Sequence, residues 1–66
     1  MVNFNSFETS FGEKLAQKRK EKGYTQAELA RKMGVSRSTI HAWENNRNYP
    51  NFQSLQKLSK LEVLPN

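Results

Sequence analysis

Apolar residues recur along this chain in four short runs at helical spacing, and each run follows a side chain able to cap a helix. In the first run Phe11 and Leu15 lie four apart, with Arg19 one turn further along the same stripe. Ser10 precedes it and Glu13 stands three residues on, a capping box in which each side chain satisfies the other's exposed backbone N–H. Lys14, Lys18, Lys20 and Lys22 flank the stripe, and Gly23 offers a left-handed stop. The second run repeats the grammar: Thr25 as cap, Glu28 at the third position, then Leu29, Ala30 and Met33, with Gly34 as the stop. Ala30 suits a helix crossing, where a small side chain lets two backbones approach.

Val35 makes a short apolar link, and Ser36 caps a third run with Ile40, Trp43 and Glu44 turned inward. This run closes at Asn45-Asn46, asparagine being the best substitute for glycine in the left-handed conformation. Arg47 to Pro50 reads as a polar loop extended before the proline. Asn51 then caps a fourth run with Phe52, Leu55, Leu58 and Leu61 inward, and the ending EVLPN does not continue it. The pattern predicts an all-α fold of four short helices.

Two charges stand on otherwise apolar stripes. Arg19 in the first helix and Glu44 in the third would each be costly to bury alone, so they are expected to meet as a structural ion pair.

Composition narrows the setting. Sixty-six residues make one domain near the size at which a single core suffices. There is no cysteine to staple it, which fits a cytoplasmic protein. No apolar run approaches a membrane span, and the start MVNFNSFETS lacks the basic-then-apolar character of a signal peptide, so no membrane partner is expected. The net charge of +5 favours a polyanionic partner, nucleic acid first.

Catalysis is poorly served. One histidine and six scattered acids offer neither a nucleophile with its base nor a metal-ligand set, so no enzyme, cofactor or metal is expected. The second and third helices, joined by a tight turn at Gly34, read instead as a helix-turn-helix whose third helix enters the major groove. Its early outward residues are Ser36, Arg37, Ser38 and, one turn on, His41 and Ala42. Arg37 alone has a donor fork that suits guanine O6 and N7, and Ala42 could meet a thymine methyl. Ser38 and Thr39 are shorter and less committal. Gln26, at the first turn of the second helix, would place its amide against a phosphate, and Asn45, Asn46, Arg47 and Asn48 form a loop suited to backbone contacts.

The stretch TQAELARKMGVSRSTIHAWENNRNYPN resembles the helix-turn-helix of the Cro/phage-repressor (XRE) family at Thr25-Gln26, Glu28-Leu29-Ala30, Gly34-Val35-Ser36, Ile40, Trp43-Glu44 and Pro50. The resemblance spans roughly residues 11–61. It implies a lambda-repressor-like bundle and a homodimer that represses transcription from a palindromic double-stranded operator. Base contacts carry over onto Ser36, Arg37, Ser38 and Ala42, with His41 beside them. Phosphate contacts fall on Thr25, Gln26, Thr39, Asn45, Asn46, Arg47 and Asn48. The Arg19–Glu44 pair matches a buried salt bridge of phage-repressor relatives.

Departures from that pattern divide the chain into an N-terminal arm (1–9), the helix-turn-helix domain (10–61) and a C-terminal tail (62–66). Asn46 and Glu62-Val63 stand where many relatives have glycine and glycine-valine, and the fifth helix that usually builds the dimer in such relatives is not expected within these residues. The ending KLSKLEVLPN is similar to HipB-type antitoxins, in which this segment is a strand paired across the dimer. An antitoxin that binds a toxin and represses its own operon is therefore the alternative reading. The dimer surface is expected at Leu58 to Pro65, with Phe4 or Phe7 of the arm docking on the core or on a partner.

Overall fold

The computed structural model describes residues 9–65. Among them are four helices and no strand: α1 (Phe11–Glu21), α2 (Gln26–Met33), α3 (Arg37–Glu44) and α4 (Phe52–Lys60). Phe4 and Phe7 lie outside the described residues. No helix is long and apolar enough to cross a membrane.

Local side chains set every helix start. Ser10 and Thr25 form complete capping boxes with Glu13 and Glu28, and the Ser36 and Asn51 side chains accept the N–H groups of Thr39 and Ser54. Each such cap stabilises by about 1 kcal/mol, which matters where helices of 8 to 11 residues cannot stand alone. The stops also fall as expected, with Gly23, Gly34 and Asn46 at positive φ.

Packing joins α3 to α1 and α2, and α4 to α2. Leu15, Leu29, Met33, Ile40, Leu58 and Val63 are fully buried, with Ala30 and Trp43 nearly so. Phe11, Tyr24, Val35, Leu55, Leu61 and Leu64 pack half-buried around them. Each fully buried large side chain stabilises by roughly 1.5–3 kcal/mol, so this single cluster dominates the fold.

Two expectations fail. Phe52 does not face inward; it is 72% exposed. Its spacing from Leu55, Leu58 and Leu61 is strictly three residues, each step about 60° short of a full turn, so Phe52 lies roughly 120° around from buried Leu58. The tail is not a strand in its described part. Glu62 takes a left-handed φ of 62°, which folds the chain back so that the Val63 N–H bonds Leu58 O at 3.0 Å and the Val63 side chain enters the core. Of the stretch from Leu58 to Pro65, both Leu58 and Val63 are therefore buried in the chain's own core, leaving Leu61, Leu64 and Pro65 partly exposed.

Candidate nucleic-acid interface

Arg19 and Glu44 meet as expected. The arginine's Nε and Nη2 reach the two carboxylate oxygens at 2.6 and 3.2 Å, and its Nη1 donates to Tyr24 O at 2.8 Å. Both side chains are nearly buried, at 10% and 6% exposure. A third donor completes the group: Gln26 Nε2 bonds Glu44 Oε1 at 2.9 Å. The first residue of α2 is thus tied to the last residue of α3, which sets the angle at which α3 is displayed.

At the other end of α3, Ser36 Oγ accepts the Thr39 N–H and lies 3.0 and 2.8 Å from the hydroxyls of Ser38 and Thr39. These three side chains form one hydroxyl cluster around the helix start. Ser36 and Ser38 are exposed, and Thr39 is half-buried. Arg37, exposed beside them, has no hydrogen bond or ion pair among the described residues. Its guanidinium fork is open to a ligand. His41 is exposed on the next turn and Ala42 is half-buried. Asn45 folds back on its own helix, donating to His41 O at 2.9 Å with its amide 3.4–3.5 Å from both imidazole nitrogens.

The loop divides between two roles. Arg47 and Asn48 are exposed, with the Arg47 N–H anchored on Ala42 O at 2.9 Å. Asn46 points inward to α1: its Oδ1 accepts the Gly12 N–H at 3.0 Å and its Nδ2 donates to Ser10 Oγ at 2.8 Å. Its side chain is therefore engaged in closing the α1–α3 corner. Thr25 likewise uses its hydroxyl oxygen to cap Glu28.

Gly12 was the least legible residue of this corner. A Cβ there would sit 2.3 Å from Glu44 O and 2.6 Å from Trp43 O, so only glycine lets α1 rest on the end of α3. The available signal was a glycine inside a helix start, which is unfavourable unless something approaches closely.

Charge outside the Arg19–Glu44 pair is mostly unneutralised. Lys22 and Glu62 form an exposed ion pair at 2.9 Å, and no other Lys or Arg among the described residues pairs with a carboxylate. The surface offers cationic donors and hydroxyls but no candidate metal cluster among the described residues.

Sequence and structure comparisons point the same way. The helix-turn-helix family profile matches residues 15–61. The HTH-type transcriptional activator BcrR of Enterococcus faecalis is 48% identical over 50 residues, covering 76% of this chain and 24% of that protein. The HTH-type transcriptional regulator SinR of Bacillus subtilis (strain 168) is 45% identical over 49 residues, covering 73% of this chain and 44% of that protein. This chain thus spans less than half the length of either relative. The crystal structure of SinR, the master regulator for biofilm formation, in complex with DNA superposes with a TM-score of 0.74 at 39% identity, over 83% of this chain and 89% of that one.

Proposed function

Since the chain belongs to the XRE-type (Cro/phage-repressor-like) helix-turn-helix family of transcription regulators and not to an enzyme family, we propose that it binds double-stranded DNA in a sequence-specific way. In this reading α3 lies in the major groove and the protein acts as a homodimeric repressor on a palindromic operator, in the cytoplasm. The observation that carries it is Arg37: an exposed, unengaged guanidinium on the first turn of a helix whose other face is locked into the core. Such a fork reads guanine through O6 and N7. Ser36, Ser38, His41 and Ala42 share its face, while Gln26, Thr25, Thr39, Asn45, Arg47 and Asn48 supply backbone contacts around it. Asn46 contributes by holding the loop.

A single module of this kind touches few base pairs, so a two-fold operator doubles the contact area. Occupying an operator is by itself enough to block transcription. The antitoxin alternative drew on a C-terminal strand; with Val63 in the core, no observation favours it.

Selection of binding sites from random DNA, followed by salt titration on the selected duplex, tests the proposal. The expected result is a palindromic consensus and an affinity that falls steeply with salt. Arg37→Ala should cost about 1–3 kcal/mol on the selected site and relax preference at one base pair per half-site. An Arg37→Ala protein with the wild-type ratio of selected to random affinity would remove the base-reading role. Absence of any DNA binding at low salt would remove the function.

A further inference from the structure

Glu44 is gripped from two sides, by the Arg19 guanidinium and by the Gln26 amide, which belongs to the helix preceding its own. An ion pair built only for the core would be complete with Arg19, whose fork already meets both carboxylate oxygens. Gln26 is only half-buried, so its attachment to this pair ties a surface amide to an interior anchor. The chemistry settles the direction of that amide. Turning its carbonyl oxygen toward Glu44 would oppose two acceptors, so the nitrogen faces the carboxylate. One N–H is held by Glu44, and the second, in the same plane, is turned away from it.

We propose that Glu44 is a positioning residue for DNA-backbone binding: backed by Arg19, it holds the Gln26 amide so that its second N–H is presented to a phosphate. This rests on the DNA-binding reading above and adds a role to a pair otherwise accounted for by the core. Arg19 is needed for more than packing. Glu44 sits in the last turn of α3, where the helix dipole disfavours a negative charge, and an unpaired carboxylate there would also repel a nearby phosphate. With its charge met by Arg19, the carboxylate acts as an acceptor that fixes a neutral donor. Held this way, Gln26 binds without losing the rotamer freedom of an unrestrained side chain.

A double-mutant cycle on a duplex recovered by random-site selection tests the coupling, using Q26A, E44Q and the double variant. Glu44→Gln should weaken binding by about tenfold when Gln26 is present and by less than about twofold when position 26 is already alanine. Equal losses in both backgrounds would show that Glu44 acts through the fold alone and overturn the proposal. Because E44Q leaves Arg19 without its carboxylate and endangers folding, the unmodified protein supplies a second measurement. In nitrogen-resolved proton spectra, one Gln26 side-chain proton should exchange slowly in free protein, and the other should shift when the duplex is added. If the α3 backbone signals move while the Gln26 side-chain pair does not, the positioning role is lost and DNA binding stands. If no signal moves, the DNA-binding reading falls and this proposal with it.

Discussion

The Gly12 N–H donates to Asn46 Oδ1 at 3.0 Å, joining the second residue of α1 to the left-handed residue that ends α3. Asn46 also donates to Ser10 Oγ, so one side chain serves the cap of α1 and the stop of α3 together. Glycine at this position would enter positive φ at no cost. Here the side chain's two bonds offset the conformational penalty. Asn46→Gly should relieve little backbone strain, since asparagine tolerates this region, and should lose both bonds. A net destabilisation of about 1 kcal/mol is expected in urea unfolding, with Asn46→Ala worse by roughly another 1 kcal/mol because alanine keeps the strain and lacks the bonds. A glycine variant more stable than wild type would show that the backbone term dominates.

Gly12 makes a sharper case. An added methyl group meets backbone atoms of Glu44 and Trp43 rather than a flexible side chain, so α1 must move off α3. Gly12→Ala should cost about 1–3 kcal/mol despite alanine's better helix propensity, and should disturb the Arg19–Glu44 bonds that lie further along the same contact. Thermal melting gives the size of the loss. Stabilisation instead would mean that the two helices can separate freely.

Phe52 and Leu58 share one helix and contrast in burial. Phe52→Ala should change stability by less than about 0.5 kcal/mol, the range of ordinary surface substitutions, while Leu58→Ala should cost about 2–5 kcal/mol. Paired urea denaturation curves would separate the two. Comparable losses would place Phe52 in the core after all.

Acid should weaken the fold through two surface carboxylates, half-buried Glu28 and exposed Glu62. The Thr25 backbone N–H, and then its hydroxyl, hold Glu28 below the usual carboxylate range, and the Lys22 ammonium does the same for Glu62. Each lowered value contributes stability that is present above the unfolded value of 4.5 and lost as pH falls through the folded one. Lys22, raised by its bond to Glu62, contributes stability present below 10.5 and lost as pH climbs through its higher folded value. Melting temperature followed against pH should therefore decline at both extremes. Glu28→Gln keeps a capping side chain without the titration, so it should flatten part of the acid decline by lowering the neutral value toward the acid one. An acid limb identical to wild type would exclude Glu28 as a contributor.

Helix starts and stops could be read from the chain because each depends on residues within one turn of one another. Ser10 with Glu13, Thr25 with Glu28, Ser36, Asn51, and the left-handed Gly23, Gly34 and Asn46 all belong to this group. Arg19 and Glu44 could be matched across 25 positions for a different reason: two charges on apolar stripes have few partners that make burial tolerable. The same reasoning located the display of Arg37, since the inward residues of α3 leave its other face to solvent.

Rotation and crossing of the helices were beyond such arguments. Whether Phe52 or Leu58 faces the core depends on how α4 settles on α2, and an apolar ladder with a step of three residues admits more than one rotation. Val63 joins the core only because Glu62 turns the chain back, a left-handed step that glutamate does not advertise. Asn46 reaches Gly12, and Gln26 reaches Glu44, because three helices converge at one corner. These contacts arise where packing brings distant backbones within a few ångströms, a distance that no local pattern of residues encodes.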